Sequence, residues 1–366
     1  MRPEGWDGVR RVLAVRLDNV GDAVLLGPAL RALRHALPEA RITLMASPAA
    51  AQVAPMLPWI DEVIMHSAVW QDASGRMPLD PERERGLIDD LVERAFDAAL
   101  IFTSFSQSPW PPAYACYLAG IPRRIGQSKE FGGSVLTQWV RPLPDATHQA
   151  ERNLHLLEAA GFHVGRRDLE LRVPEGARAR ADALLAARRI ATHAPFVLLA
   201  PGASCAARTY DPGRFAAAMR AIVERTGLPV VIAASERERG MAAQIASMLE
   251  GARVATLAGE TSVPELAALI QRAALLVAND SGPMHIADAL RRPMVITYSG
   301  TEHESQWAPR SAPAVLLRRE TGCSPCYAFR CPYGMECLDI PPGEVAGAAV
   351  RMLATGSVLA AEEVRA

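Results

Sequence analysis

Asp18 and Asp22 flank Gly21 in the run VRLDNVGDAVLLGPAL, between a strand-like stretch from Val12 to Leu17 and a helix-like stretch from Ala23 to Leu37. A carboxylate at such a turn can complement the N-terminal dipole of the helix behind it. It can also take a proton from a bound hydroxyl as general base. By local sequence alone, Asp22 reads as a helix cap and Asp18 as a solvated turn residue. The base reading needs a ligand in front of Asp22, and Gly21 would let a backbone approach closely there. No G-x-G-x-x-G follows the strand, which removes the main support for a dinucleotide-dependent dehydrogenase.

A second cluster lies in LLVANDSGPMHIADALRRPMVITYSG. A strand ends at Ala278, a polar turn follows, and Pro283 suits the first turn of a helix because its missing N–H has no partner there anyway. Gly282 admits close approach, Ser281 offers a hydroxyl, and the helix start presents free N–H groups. With His285 in the first turn, this is a site for an anion such as a diphosphate. In VLLAPGASCAARTYDPGRFA, Ser204 and Arg208 follow another buried strand, and an arginine can pair two donors with phosphate oxygens. In VVIAASERERG, Glu236 and Glu238 stand just past a strand end, where a carboxylate can hold ribose hydroxyls. Four cysteines, Cys323, Cys326, Cys331 and Cys337, crowd into fifteen residues. In a reducing compartment that spacing suits one structural Zn or Fe ion sooner than disulfides.

The elements that must position these residues alternate along the chain. Strand-like runs at Val12–Leu17, Ile42–Ala46, Glu62–His66, Ala98–Thr103 and Arg124–Gln127 are separated by Ala/Leu/Arg-rich helical runs. A second series follows at Phe196–Ala200, Val230–Ala234, Arg253–Leu257, Leu275–Ala278 and Met294–Tyr298. Strands separated by helices imply right-handed crossovers and parallel sheets covered on both faces. Pro174, Gly176 and Pro195 punctuate the junction. The expectation is an α/β protein of two Rossmann-like domains facing a cleft, residues 1–175 and 190–345. A terminal helix, 346–366, is a candidate to pack back on the first domain. The chemistry belongs at the carboxyl ends of the strands.

The 366 residues suffice for two such domains, and 50% hydrophobic with 22% charged residues is a globular composition. A formal net charge of -1 gives no global attraction to nucleic acid. The N-terminal run MRPEGWDGVRRVLAV lacks a signal-peptide core and no apolar run approaches a membrane span, so a cytoplasmic protein is expected, with peripheral membrane contact open. Lys129 is the only lysine in an Arg-rich chain.

Taken together, the Gly-Asp turn, the P-G-A-S loop, the Asp-Ser-Gly-Pro-x-His run and the tail CSPCYAFRCPYGMECLDIPPGEV resemble glycosyltransferase family 9, the ADP-heptose:lipopolysaccharide heptosyltransferases. The resemblance implies a GT-B fold and inverting transfer without a catalytic metal. It makes Asp22 the catalytic base and Arg208 the basic residue of the donor loop. Asp280, Ser281, Gly282 and His285 match the diphosphate turn; Gly21, Ser204 and one of Glu236 or Glu238 complete the donor set. Where the family commonly has Arg-Trp-Pro, this chain has Thr209, Tyr210 and Asp211. In the acceptor half, Arg123, Arg124 and Lys129 are candidate contacts for an anionic acceptor. The implied partners are ADP-heptose and a glycan or lipid-linked sugar. The alternatives are a non-hydrolysing sugar-nucleotide epimerase, which needs acid/base groups on both faces of the sugar, and a non-catalytic nucleotide-sugar-binding subunit.

Overall fold

The structure, a computed structural model, describes residues 3–72, 75–104, 106–191 and 193–363, with side chains of the last helix to residue 355. Two compact units divide at Arg172/Val173, the short stretch Ser305–Trp307 joining the first.

In the first unit the chain runs β1 (Arg11–Arg16), α1 (Val20–Ala36), β2 (Arg41–Ala46), α2 (Pro48–Ala51), β3 (Glu62–Met65), α3 (Pro81–Arg94) and β4 (Ala98–Ile101). It continues through α4 (Trp110–Leu118), β5 (Arg123–Gln127), β6 (Gln138–Val140) and α5 (Gln149–Ala159). The sheet order is β3-β2-β1-β4-β5-β6, and every pair is parallel. Leu13, Val15, Ala99 and Ile101 lie buried in one core cluster with residues of α3 and α4. Such strands are covered on both faces, so they read as continuous apolar runs rather than alternating ones.

The second unit repeats the plan with α6 (Glu175–Ala187), β7 (Val197–Ala200), α7 (Pro212–Thr226), β8 (Val230–Ile232), α8 (Arg239–Ser247), β9 (Val254–Thr256) and α9 (Val263–Arg272). It then runs β10 (Leu275–Asn279), α10 (Gly282–Ala289), β11 (Met294–Thr297), β12 (Ala314–Leu317) and α12 (Pro342–Glu363), with α11 (Glu304–Trp307), whose Ser305–Trp307 belong to the first unit, between β11 and β12 in the chain. Its order, β12-β11-β10-β7-β8-β9, is that of the first sheet. In each unit the strand order reverses beside the first strand, between β1 and β4 and between β7 and β10. Open α/β sheets hold ligands at that reversal.

Two strands escape the sequence reading, β6 and β12. Both lie at sheet edges, and β12 is half-buried along its length, so neither has the apolar signature of a central strand. The last helix begins within the second unit. Its Val345, Ala346, Ala348 and Ala349 are buried in the core cluster of the second unit, with Phe215, Met219 and Ile222 of α7. The helix at the junction, α6, packs on α9. Among the described residues no helix is long and apolar enough to cross a membrane.

Candidate functional site

At the β1–α1 turn a single buried cation meets two acids. Arg16, the last residue of β1, has a fully buried side chain. Its Nη2 lies 2.6 Å from Asp22 Oδ1 and its Nε 2.8 Å from Asp18 Oδ2. The loop after β4 closes the cluster from the neighbouring strand. Ser104 Oγ accepts from Arg16 Nη2 at 2.9 Å and donates to Asp22 Oδ1 at 3.4 Å. Gln107 Nε2 donates to Asp18 Oδ1. Asn19, not Asp22, is the N-cap of α1; Asp22 sits at the third helical position, and its Oδ2 accepts the Asn19 backbone N–H at 3.1 Å. Asp22 thus does part of the capping work expected of it while keeping 12% of its side chain exposed.

Asp18 is not the solvated turn residue the sequence suggests. Its side chain is 6% exposed. Burial raises its carboxyl pKa to about 6; Arg16 and Gln107 oppose that rise and Asp22 adds to it. Arg16 is the residue that sequence reasoning missed. The signal was present, an arginine closing an otherwise apolar strand, but its partners are set by the fold.

The matching turn of the second unit is built around Asn279 and Asp280. Asn279 Nδ2 donates to Pro201 O at 2.6 Å, and its Oδ1 accepts from Tyr210 N at 3.0 Å and Thr297 Oγ1 at 2.8 Å. This one amide locks the loops after β7 and β10 together. Ser281 caps α10 and donates its hydroxyl to Gly202 O at 3.3 Å, so the diphosphate turn and the P-G-A-S loop are one assembly. Asp280 is buried with Oδ2 accepting from Ser299 Oγ at 2.8 Å. Desolvation pushes its pKa up to about 7, against the pull of Arg208 and Ser299. Gly282 is the first residue of α10, and His285 is buried in its first turn.

Arg208 donates Nε to Thr301 Oγ1 at 3.0 Å and pairs with Glu302 Oε2 at 2.9 Å. Ser299, Thr301 and Glu302, all after β11, were not singled out by sequence. Ser204 is exposed on the same loop as Arg208. Of the two glutamates, Glu236 is exposed and paired with Arg239 at 2.5 Å, whereas Glu238 stands over Gly202. The residues in the Arg-Trp-Pro position have structural work. Tyr210 is buried and donates its hydroxyl to Ile340 O at 2.5 Å, and Asp211 caps α7 by accepting from Arg214 N at 2.8 Å.

The acceptor-side candidates fare differently. Arg124 is buried, and its guanidinium is spent on the carbonyls of Val135 at 2.6 Å, Ser134 at 3.2 Å and Ile121. Arg123 donates to Gly5 O and stacks over Trp6 at 4.8 Å. These two arginines are fastenings of the first unit. Lys129 is exposed and paired with Asp145 at 2.6 Å. The four clustered cysteines are free thiols, Cys323 and Cys326 exposed, Cys331 and Cys337 half-buried. Burial raises the Cys337 pKa, with the other three adding to the rise. The donor chemistry suits Zn or Fe. Among the described residues no group of three or more His, Cys, Asp or Glu is arranged so as to hold an ion.

Comparison with known proteins matches these features to one family. The family model of glycosyltransferase family 9 (heptosyltransferase) matches residues 85–335. Lipopolysaccharide heptosyltransferase 2 of Escherichia coli K12 is 26% identical over 325 residues, covering 85% of this chain and 89% of that protein. The solved structure of E. coli ADP-heptose lipopolysaccharide heptosyltransferase II superposes with a TM-score of 0.76 at 24% identity, covering 95% of this chain and 99% of that one. An E. coli heptosyltransferase solved with ADP-2-deoxy-2-fluoro heptose gives a TM-score of 0.66 at 17% identity, over 93% and 99% of the two chains. Both neighbours share the two-domain α/β architecture described above. With its glycine-aspartate turn, its Asp-Ser-Gly-Pro-x-His turn and this match, the chain belongs to glycosyltransferase family 9, the heptosyltransferases, and is a glycosyltransferase.

Proposed function

We propose that the chain transfers heptose from ADP-heptose to a sugar hydroxyl of lipopolysaccharide core or a related glycoconjugate, inverting the anomeric centre. The relatives support this substrate pair: one is named a lipopolysaccharide heptosyltransferase, and another is solved with an ADP-heptose analogue. On this reading the N–H groups opening α10, the Ser281 hydroxyl and Arg208 receive the diphosphate. Glu238 meets the ribose. As the bond to the anomeric carbon lengthens, charge grows on the ADP oxygens. Donors fixed in advance stabilise that charge without having to reorganise.

The acceptor hydroxyl gives its proton to Asp22. The one observation that carries this role is the Asp22–Arg16 pair at 2.6 Å, in which a fully buried cation holds an acid that still reaches solvent. A mere cap needs no such partner, and burying a charge is expensive unless it is paired. A lipid-linked acceptor places the reaction at the cytoplasmic surface of the inner membrane.

The test incubates the purified chain with ADP-heptose and core-truncated lipopolysaccharide, reading the product by mass spectrometry and its anomeric configuration by NMR. One added heptose of inverted configuration is expected. Asp22→Asn should lose about a hundredfold to ten-thousandfold in turnover while still binding ADP, the usual range for a general base. Normal turnover by that variant would reduce Asp22 to a helix residue. Isomerised donor without acceptor would make the chain an epimerase.

A further inference from the structure

We propose that Arg16 is a positioning residue for the transfer reaction, dividing one buried cation between Asp22, which it aims, and Asp18, which competes for it. This rests on the reading of Asp22 as the base. The geometry is specific. Nη2 reaches Asp22 Oδ1 at 2.6 Å and Ser104 Oγ at 2.9 Å, Nε reaches Asp18 Oδ2 at 2.8 Å, and the guanidinium is out of contact with water. Among the described residues neither Nη1 nor Nε has a hydrogen-bond partner, so Nε meets Asp18 as an ion pair alone. Nη2, the Ser104 hydroxyl and the Asn19 N–H together leave the Asp22 carboxylate little freedom to turn.

One cation facing two carboxylates leaves one negative charge in excess, and like charges at close range cannot both ionise freely. Asp18 carries that excess. It is the more enclosed of the two acids, and its carboxyl is held up near pH 6. The other groups around it do not change the balance. Gln107 and Ser104 come from the loop after β4, Gln71 bonds Gln107 at 3.2 Å, and Ser47 bonds the Asp18 carbonyl; all are neutral. Arg152 of α5 acts on Arg16 as a like charge. Below the Asp18 transition, Arg16 serves Asp22 alone. Above it, the cation is shared between the two acids.

A purely structural ion pair and a positioning residue predict different things. Transfer kinetics would be recorded from pH 4.5 to 9 for the wild-type chain and for Asp18→Asn, Arg16→Gln and Arg16→Lys, with carboxyl-carbon NMR titration of Asp18 in every chain that retains it. Asp18→Asn should abolish the change in kcat/KM that the wild type shows as pH passes through the Asp18 transition near 6, because the cation is then never divided. Arg16→Gln should move the Asp18 titration to higher pH, because the opposing cation is gone. Arg16→Lys keeps the charge but cannot face both acids from two nitrogens, so kcat should fall on the order of a hundredfold with KM unchanged. A kcat/KM profile that is the same through pH 6 in wild type and Asp18→Asn would overturn the proposal, as would a lysine variant with normal kcat. If Arg16→Gln does not fold, Asp18→Asn decides the matter. If no variant, wild type included, forms glycoside, the proposed function fails, and an Asp18 titration unmoved by Arg16→Gln separately overturns the shared cation.

Discussion

A β-carbon built on Gly202 would fall 1.9 Å from Oε1 of Glu238. The glycine after β7 is therefore not there for a left-handed turn; it makes room for a carboxylate. Glu238 is held over it by Ser235, whose N–H and hydroxyl donate to Oε2 at 2.9 and 2.7 Å. Gly202→Ala should fold, because the clash is with the end of a flexible side chain. It should also swing Glu238 away and break its two bonds to Ser235, lowering stability by about 1 kcal/mol. If Glu238 holds the ribose, nucleotide affinity should drop by about 1.5–3 kcal/mol, the worth of a charged hydrogen bond. The check is calorimetric binding of ADP to Gly202→Ala, Glu238→Ala and the double variant. The double variant should bind no worse than Glu238→Ala alone. Additive losses would mean that the two residues act separately.

Arg208 offers the complementary test. Its charge is engaged by Glu302 at 2.9 Å, so an incoming phosphate must compete with that acid. Arg208→Ala should weaken ADP binding by about 1.5–3 kcal/mol. Glu302→Gln should do the opposite and tighten ADP severalfold, since the arginine is released toward the ligand. An ADP dissociation constant unchanged by both substitutions would remove Arg208 from the donor site.

These tests probe residues of unequal legibility. The central strands and the two glycine-bearing turns could be read because both depend on local pattern, an apolar run followed by Gly, Pro, Ser or Asp. The edge strands β6 and β12 could not, because a half-exposed strand of three or four residues has no pattern to read. Arg16 was missed for a different reason: its acids Asp18 and Asp22 are close in sequence, but its burial and its third partner, Ser104, 88 residues away, depend on the pairing of β1 with β4. Arg124 shows the converse error. As a sequence it is one more basic residue in PRRIGQSKE; in the fold its donors are consumed by three carbonyls. Spacing reports residue type, whereas burial decides whether a charge is available.

Asp280 predicts a pH dependence of stability. Its carboxyl is raised from the ordinary 3.8 to about 7, so the folded chain holds this proton more tightly than the unfolded chain. Its favourable contribution is complete below the unfolded value, falls as pH rises through the interval from 3.8 to about 7, and is gone above it. Asp280→Asn lacks that transition. Urea denaturation of both chains at pH 5 and pH 8 should show the wild type losing about 2–3 kcal/mol relative to the variant. A constant difference between the two pH values would place the Asp280 carboxyl at its ordinary value.

The cysteine loop reaches the donor residues through its backbone. Tyr327 N donates to Thr301 O at 2.8 Å, Cys326 N to Gly300 O at 3.2 Å, and Ala207 N to Phe329 O at 3.1 Å. Thr301 in turn accepts from Arg208 through its hydroxyl. The loop therefore braces Arg208 from two sides, and anything that displaces residues 326–329 should loosen the arginine. Cys323 and Cys326 are exposed, so a bulky maleimide can reach them in the folded chain. Alkylation should raise the ADP dissociation constant severalfold while leaving the urea midpoint of the first unit unchanged. The Cys323→Ser/Cys326→Ser/Cys205→Ser/Cys331→Ser variant should bind ADP normally and be indifferent to the reagent. If alkylated wild-type chain binds ADP as tightly as before, the backbone contacts do not transmit strain to Arg208, and the loop is only a cover on that face of the sheet.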